Sequence, residues 1–517
     1  MSFRQSYSKA KEPKKLRRAC AWRWAMLRAV LLLAAVLTGC ASTPVARRQH
    51  LLVIDRKGNP VLADAHGFQD MDDPLYADYL ETMIQGMRSY AATNGTANCI
   101  TTNQTTTGAS ITTTNHTNRL VLFIHGGLNS PKTGIQRAAD LTDKVLKDGA
   151  YPVFLSWDSS LRGSYWDHLF WVRRGNADYG YWAPLESPFY LASDIGGAVL
   201  KSPIVFLEGF WRARQAMPIR GCQSEAQDNA LRASERLEDL YGRDAGRTNS
   251  IAVEVGGNRL TRGGNFRQGA YTVINTPMRA VFAPFFHSLG TPAWNVMLRR
   301  VDLMFERESD SHRGCGFFVP PQGALPKFAR RLTQFFNEER DHGHCWELTL
   351  VGHSMGAIVA TEFIERAETY DTDFPRVDNI VLLAPAVSQR SFEHAIIPYM
   401  KRQSNAVCSI LTLEMRGELW ERNWHGILPQ GSLLVWIDDY FANPNSEADH
   451  TLGRFTNLML AADRIPLDVR GRMNFLAFPF GERELLETPL RHGDFSRTRF
   501  WKREFWDVRK QATKQPE

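Results

Sequence analysis

A serine between two glycines has the type and spacing expected of a catalytic nucleophile. Residues 352–356 read Gly-His-Ser-Met-Gly, which matches the pattern G-x-S-x-G. The composition of 347–351 predicts a short buried strand, and that of 357–364 predicts a helix. A serine on the sharp turn between such elements is strained, and glycines two positions away avoid a clash. The turn also aims the helix N-terminus at the reaction centre. Ser354 is therefore the predicted nucleophile.

A second glycine motif follows a predicted central strand. Residues 120–124 form a continuous apolar run, which is typical of a parallel strand covered on both faces. The run ends in a His-Gly-Gly sequence, which resembles the oxyanion-hole motif of α/β-hydrolase lipases and esterases. The resemblance implies that backbone N–H groups near Gly126, Gly127 and Leu128 bind the oxyanion. The other donor would be the N–H of Met355.

The order of the predicted elements also resembles the α/β-hydrolase fold, a mostly parallel central sheet flanked by helices. In that fold the catalytic residues follow the chain order serine, acid, histidine. Only His425, His450 and His492 lie beyond the expected acid strand. His492 follows the last predicted strand, 472–478, and Gly493 allows its loop to turn back toward the serine. His492 is therefore the predicted general base.

The acid has several candidates. Glu418 lies a few residues past the predicted strand 410–413, where related bacterial hydrolases carry their carboxylate. Glu414 lies at the edge of that strand, and Asp438 and Asp439 follow another apolar run. We rank Glu418 first and leave the other three open, since each is also compatible with a solvated carboxylate.

The first residues resemble the signal of a bacterial lipoprotein. Nine basic residues and one acid lie within 1–28, and a short apolar block follows at 29–37. The block is too short to span a bilayer. It leads into Leu-Thr-Gly-Cys, which is similar to a lipobox and implies cleavage before Cys40 and its lipidation. Because alanine rather than aspartate follows Cys40, the resemblance favours the outer membrane of a Gram-negative bacterium, facing the periplasm. An ordinary signal peptide or a signal anchor is the alternative.

The net charge of the chain without its predicted signal gives no support for nucleic-acid binding. The whole chain carries a formal charge of +7. Removing 1–39 takes away nine basic residues and one acidic residue and leaves 53 basic against 54 acidic residues, a net charge of −1. The basic character belongs to the signal, so no nucleic-acid partner is expected.

The predicted organisation surrounds the hydrolase core with a signal, a polar loop and an insertion. Residues 93–118 are dominated by Thr and Asn and predict a loop. Residues 158–340 exceed what a minimal hydrolase needs, and their aromatic start is compatible with an acyl-chain wall or with a helical cap. The predicted domains are 1–39 (signal), 40–118 (first strand and polar loop), 119–157 (first part of the core), 158–340 (helical insertion) and 341–517 (core with elbow and histidine).

No metal or organic cofactor is implied. His342, His344 and Cys345 form a cluster with possible ligand character, but no second cluster at zinc-like spacing accompanies it. A polar loop before the nucleophile strand explains it better. Cys408 lies in an apolar strand pattern and is predicted to be a core residue, whereas disulfide pairing and oligomeric state do not follow from the sequence.

Together these features predict a lipid-anchored serine hydrolase that acts on an ester or lipid substrate through an acyl-enzyme. Two alternatives remain open. An acyltransferase or thioesterase would use the same machinery, because function depends on the site rather than on the fold. A non-catalytic anchored scaffold would keep only the fold.

Overall fold

The computed structural model describes most of the chain beyond the predicted signal. The described residues are 48–64, 67–94, 117–173, 176–177, 183–215, 252–255, 266–306, 323–370, 373–421, 431–462, 464–478 and 488–507. The predicted signal, Cys40 and most of the polar tract 93–118 lie outside these ranges. Among the described helices, none is long and apolar enough to cross a membrane.

An eight-stranded sheet forms the centre of the protein, in the order β1-β5-β4-β9-β10-β11-β12-β8, and all its pairings are parallel. The protein is thus an α/β protein, as predicted. The strands of this sheet are β1 (Leu51–Ile54), β4 (Asn118–Ile124), β5 (Tyr151–Trp157), β8 (Ala252–Val255), β9 (Trp346–His353), β10 (Asn379–Leu383), β11 (Val407–Leu413) and β12 (Met473–Phe478). Two small hairpins contain β2 (Val61–Asp64) with β3 (Gly67–Asp70), and β6 (Val172–Arg173) with β7 (Asn176–Ala177).

Helices flank the sheet and account for most of the remaining described residues. They are α1 (Asp73–Asn94), α2 (Pro131–Lys147), α3 (Leu161–Phe170), α4 (Ala183–Gln215), α5 (Phe266–Phe305), α6 (Ala324–Asp341), α7 (Gly356–Thr369), α8 (Gln389–Arg402), α9 (Met415–Trp420), α10 (Leu433–Trp436), α11 (Phe455–Ala462), α12 (Leu467–Arg470) and α13 (Arg503–Trp506). Short 3-10 or π turns occupy Arg48–His50, Ile437–Phe441, Glu447–Asp449 and His492–Arg497.

The register of the central strands brings three loops together. Ile124 at the end of β4 lies opposite Gly352 of β9, and Leu383 at the end of β10 lies opposite His353. Since all three strands run parallel, the loops that follow them meet at the same edge of the sheet. This edge, outside the carboxyl ends of the strands, is where open α/β sheets bind ligands.

Continuous apolar runs explain why these strands are central. Every residue from Leu120 to Ile124 is at most 1% exposed, and the same holds for Ile380 to Leu383. Helices cover both faces of such a parallel sheet, so its strands need no polar side. Cys408 of β11 is buried and unpaired, in agreement with its predicted place in the core.

The described part of 158–340 is mainly helical and also contributes to the sheet. Helices α4 and α5 pack together, and α3 packs against α5. Strand β8, however, pairs in parallel with β12 at the edge of the central sheet. The segment is therefore not only an insertion beside the core. The N-terminal region likewise contains more than a strand and a loop, because α1 spans 22 residues that we did not predict as a helix.

Candidate active site

Ser354 occupies a strained turn between β9 and α7. Its φ is 54°, in the left-handed region that a residue with a side chain rarely adopts. Its N–H donates to the carbonyl of Leu383 at 2.9 Å, which holds the turn against β10. A Cβ on Gly352 would lie 2.7 Å from the Cα of Ala357, and one on Gly356 would lie 2.2 Å from the carbonyl oxygen of Ile124. The two glycines are therefore required by close backbone contact, as the motif predicts.

His492 lies against the serine. Its Nε2 is 2.8 Å from Oγ of Ser354, although 137 residues separate the two in the chain. Both residues are buried, at 4% and 0% exposed. Burial lowers the pKa of His492 to about 4, so the imidazole is neutral near pH 7. A neutral Nε2 can accept a hydrogen bond from the hydroxyl of Ser354. This contact brings together the predicted nucleophile and the predicted base.

The loop after β4 lies directly beside the nucleophile turn. A Cβ on Gly126 would lie 1.9 Å from the carbonyl oxygen of His353 and 2.5 Å from the amide nitrogen of Met355. Only glycine allows this approach. Gly127 has φ +82°, again a conformation that favours glycine. The structure thus places Gly126 beside Met355, and Gly127 follows it in the same loop.

Side-chain donors fix the peptide planes of this loop. Asn129 Nδ2 donates to the carbonyl of Gly126 at 2.5 Å, and Ser159 Oγ donates to that of Gly127 at 2.6 Å. Because a peptide group is planar, fixing each carbonyl also fixes the N–H of the next residue. The N–H groups of Gly127, Leu128 and Met355 donate no hydrogen bond to any residue that the structure describes. They are available to an oxyanion.

His125 anchors the base of the same loop. Its Nε2 accepts a hydrogen bond from the N–H of Trp157 at 3.1 Å, and its carbonyl accepts one from Trp157 Nε1 at 2.9 Å. Burial lowers the pKa of His125 to about 3. It therefore remains a neutral acceptor that ties the ends of β4 and β5 together.

The prediction that Glu418 orients His492 requires correction. Oε1 of Glu418 accepts from Thr412 Oγ1 at 3.0 Å, and both carboxylate oxygens accept from the N–H of Phe455, at 3.1 and 3.2 Å. Phe455 begins helix α11, whose first N–H groups lack intrahelical partners and favour a carboxylate. Glu418 therefore caps a helix instead of contacting the histidine, and burial raises its pKa to about 8.

The other predicted acids do not bond to His492 either. Asp438 accepts from the N–H of Thr451 at 2.9 Å and from Arg454 Nη1 at 3.1 Å. Asp439 lies 3.9 Å from the same guanidinium. The hydrogen bonds of His492 to described residues go only to Ser354, Glu421 and His353, so Glu414 is not a partner of the histidine.

Glu421 is the carboxylate that contacts the histidine, and we did not predict it. Its Oε2 accepts a hydrogen bond from the backbone N–H of His492 at 2.9 Å. Burial raises the pKa of Glu421 to about 7, although this hydrogen bond lowers it. The ring Nδ1 of His492 is buried without a hydrogen-bond partner among the described residues. Glu421 follows Glu418 by three residues, directly after the short helix α9 that carries Glu418, so the sequence pointed to the segment but not to the side chain.

His353 is a second contact that we did not predict. Its Nε2 donates to the backbone carbonyl of His492 at 3.0 Å. His353 is buried, and burial together with His492 and Arg137 holds its pKa well below the usual value. A neutral His353 therefore holds the carbonyl of His492 while Glu421 holds its N–H. The only signal for this contact in the sequence was a histidine at the second position of the G-x-S-x-G motif, directly before Ser354.

A cleft of about 510 Å³ reaches the site. Leu433 and Trp436 supply apolar surface, and His492 and Glu421 form part of its floor. Ring contacts support this wall, because Phe286 of α5 lies 5.1 Å from the ring of Trp436. By contrast, Phe189, which belongs to the aromatic segment that we predicted as a possible acyl-chain wall, is 76% exposed and does not line the cleft.

Replacement of Trp436 by alanine should lower kcat/KM for p-nitrophenyl octanoate about tenfold more than for the acetate ester, because the indole supplies apolar surface beside the site. The measurement is a chain-length series on purified protein. Phe189→Ala is the matched control and should leave the length preference unchanged. An equal loss on all esters in Trp436→Ala would remove the cleft wall from acyl-chain binding.

The His342, His344 and Cys345 cluster has other partners. His344 Nδ1 lies 3.0 Å from the carboxylate of Glu339, and Cys345 is disulfide-bonded to a cysteine outside the described residues. No group of His, Cys, Asp and Glu side chains within the described ranges has the geometry to hold a metal ion.

Comparisons with family models, with curated proteins and with solved structures found no match for this chain. Its function must therefore be inferred from the residues and geometry of the site itself.

Proposed function

We propose that this protein is a serine hydrolase of the α/β-hydrolase type that cleaves carboxylic esters through an acyl-enzyme. One observation carries the proposal: Ser354, on a left-handed turn at the end of a central strand, lies 2.8 Å from Nε2 of a buried neutral histidine. A hydroxyl becomes a useful nucleophile when an adjacent base can take its proton.

In the proposed reaction, Ser354 attacks the ester carbonyl while Nε2 of His492 takes its proton. The N–H groups of Gly127, Leu128 and Met355 hold the negative charge on the carbonyl oxygen. His492 then returns the proton to the leaving alcohol, and the acyl group remains on Ser354. Water then attacks the acyl carbonyl while His492 takes one of its protons. The bond between the acyl group and Oγ of Ser354 breaks, and His492 returns the proton to Oγ, so the acid is released and the free serine is restored.

We assign the acid of the triad to Glu421. Its contact with the N–H of His492 supports this assignment, as does the buried Nδ1 of the same histidine, which needs an acceptor when the ring becomes charged. The chain order of Ser354, Glu421 and His492 also agrees with the order serine, acid, histidine of the α/β-hydrolases.

The parallel sheet supports the fold assignment. The nucleophile follows β9, the candidate oxyanion loop follows its neighbour β4, and the acid and histidine follow β11 and β12. All four segments leave the sheet at its carboxyl edge. This arrangement is the one that presents a nucleophile turn above an α/β-hydrolase sheet.

We further propose that the protein is anchored to the outer membrane of a Gram-negative bacterium through lipidated Cys40. The basic segment, the apolar block and the Leu-x-Gly-Cys sequence support this location. The disulfide at Cys345 also supports it, since disulfides persist in oxidising compartments such as the periplasm.

Cys40→Ser should abolish incorporation of radiolabelled palmitate, because Cys40 is the proposed acylation site. Without its acyl chains the protein should leave the lipid-anchored fraction. Labelled cells are fractionated and the protein is immunoprecipitated. Cys408→Ser, in the buried core, is the matched control and should keep its label. Unchanged palmitate uptake in Cys40→Ser contradicts the anchor.

The esterase proposal is tested with p-nitrophenyl acetate, butyrate and octanoate. The wild-type protein should release p-nitrophenolate with an initial burst as the acyl-enzyme accumulates. No release above background from any ester, in a protein whose circular dichroism shows a folded state, contradicts the proposal.

A further inference from the structure

Three arginines line the cleft: the charge of Arg491 acts on Glu421, whereas Arg137 and Arg497 have no ion pair among the described residues. Arg137 and Arg497 both line the cleft that reaches His492, and neither forms an ion pair or a side-chain hydrogen bond with any described residue. Arg497 is exposed to solvent, whereas Arg137 is half-buried. Nη1 of Arg137 is buried without any hydrogen-bond partner among the described residues. A buried guanidinium N–H normally has a hydrogen-bond acceptor. The described residues of the cleft supply none for this atom, so a bound ligand would provide the missing acceptor.

The two guanidinium groups also repel each other. Burial first, and then the charge of Arg497, lower the pKa of Arg137 to about 10, which Asp140 only partly offsets. Burying a charge beside a like charge costs free energy unless an anion compensates. A bound anion in this part of the cleft would remove both the desolvation cost and the repulsion.

The acidic residues of the cleft are engaged elsewhere. Glu421 accepts the N–H of His492, and Asp494 accepts the N–H groups of Leu490 at 3.2 Å and Arg491 at 3.0 Å. The hydrogen bonds from these backbone N–H groups hold both carboxylates beside residues 490–492. The positive side chains therefore face the cleft without a charge partner from the described residues.

The N-terminus of α2 adds positive potential at the same place. Asn129 and Thr133 line the cleft, and Ser130 at the N-cap makes no hydrogen bond from its side chain to the helix backbone. The N-terminus of a helix carries a partial positive charge that favours anions. Pro131 has no N–H and the N–H of Thr133 donates to the carbonyl of Ser130 at 3.0 Å, so the contribution of α2 comes from its dipole. Helix α2 spans 17 residues and also carries Arg137.

The positive group lies close to the reacting atoms. Arg137 and Arg497 line the same cleft as His353 and His492, and the charge of Arg137 contributes to the lowered pKa of His353. His353 in turn donates to the carbonyl of His492. An anion held by Arg137 and Arg497 would therefore belong to the same substrate molecule whose ester reaches Ser354.

We propose that Arg137 and Arg497 bind an anionic group, a carboxylate or a phosphate, so that the preferred substrates are esters with a negative charge near the scissile carbonyl. This inference rests on the proposed esterase function. The negative group can belong to the acid part of the ester or to its alcohol part, and the shared chemistry is an anion that accepts hydrogen bonds from guanidinium groups.

Two matched pairs of substrates distinguish these sources. Mono-p-nitrophenyl adipate and its methyl ester differ only in a charge on the acid part. A 1-acylglycerol 3-phosphate and the corresponding 1-monoacylglycerol differ in a phosphate on the alcohol part. We expect kcat/KM for the anionic member of at least one pair to exceed that of the neutral member about tenfold or more, since a hydrogen bond to a charged group is stronger than one between neutral groups.

The arginine variants identify the group responsible. Arg137→Gln and Arg497→Gln should each reduce the anionic-to-neutral ratio of kcat/KM about tenfold. Arg499→Gln is the matched control, because Arg499 is exposed, lies two residues from Arg497 and does not line the cleft. It removes the same charge from the protein and should keep the wild-type ratio. If Arg137→Gln does not fold, Arg497→Gln alone decides.

A binding measurement separates failure of this inference from failure of the esterase proposal. Isothermal titration calorimetry is used to follow binding of adipate and of inorganic phosphate to the folded protein. Saturable binding that Arg497→Gln weakens about tenfold supports the anion site even if no ester is turned over. Turnover of neutral and anionic esters at equal kcat/KM, with no saturable anion binding, overturns the anion site and leaves the esterase intact.

Discussion

Ser354→Ala should lower kcat for p-nitrophenyl acetate by at least about 10⁴-fold while the protein remains folded. His492→Ala should act almost as severely, because the serine and the histidine work as a unit and their losses do not add. The double variant should therefore be no slower than either single variant. Spectrophotometric assays, with thermal unfolding by circular dichroism, provide the measurement.

His394→Ala is the matched control for the histidine variant. His394 is exposed on α8 and does not line the cleft, so its removal should leave kcat near the wild-type value. A loss of activity in His394→Ala equal to that in His492→Ala contradicts the assignment of the base. Losses in Ser354→Ala and His492→Ala that multiply in the double variant contradict their action as one unit.

Two glutamates three residues apart should respond in opposite ways. Glu421→Gln should lower kcat about 10³-fold, because an amide cannot stabilise the imidazolium that forms on His492. Glu418→Gln should keep kcat within about threefold of the wild type, since its carboxylate holds the start of α11. Glu418→Ala should instead lower the free energy of unfolding by about 1–2 kcal/mol, the usual cost of losing a helix cap. The result that contradicts this assignment is a crippled Glu418→Gln beside an active Glu421→Gln.

The pH profile gives Glu421 a second test. Its carboxyl is functional when ionised, and burial raises its pKa to about 7. Wild-type kcat/KM should therefore rise with pH through about 7, as Glu421 loses its proton. In Glu421→Gln this step should disappear and leave only the step of His492, whose pKa burial lowers to about 4. If Glu421→Gln keeps the step near pH 7, that step belongs to another group and the assignment to Glu421 is wrong.

The sequence predicted those parts of the fold and site whose residue pattern directly reflects the local structure. The apolar run 120–124 predicted strand β4, because a segment without a polar side has to be covered on both faces. The two glycines around Ser354 predicted the turn, since the close backbone contacts that they permit, with α7 at Gly352 and with the end of β4 at Gly356, belong to this motif. Chain order left His425, His450 and His492 as candidates for the base, and the position of His492 after the last predicted strand selected it.

The sequence was insufficient where a side chain depends on distant partners. Glu418 lies in the short helix α9 and Glu421 directly follows it, and their roles differ because the start of α11 meets one and His492 meets the other. Neither contact leaves a pattern in the local sequence. Strand β8 is similar, since its four residues join the sheet only through long-range pairing with β12.

Helix α1 is a different case, because its signal was present. Its buried residues recur at helical spacing along 73–94, and they include Tyr76, Leu80, Met83 and Met87. The sequence analysis made no prediction for this segment, in which the apolar residues are interspersed with acids and tyrosines. Its burial against the core shows that spacing, rather than average polarity, carries the information.

Labelling with a fluorophosphonate, followed by digestion and mass spectrometry, tests the central claim most directly. The reagent reacts with serines that a neighbouring base activates, and the adduct can be assigned to one residue. The proposed mechanism predicts a single adduct on the peptide that contains Ser354, much slower labelling in His492→Ala and none in Ser354→Ala. An adduct on another serine, or full ester hydrolysis by Ser354→Ala, would contradict it.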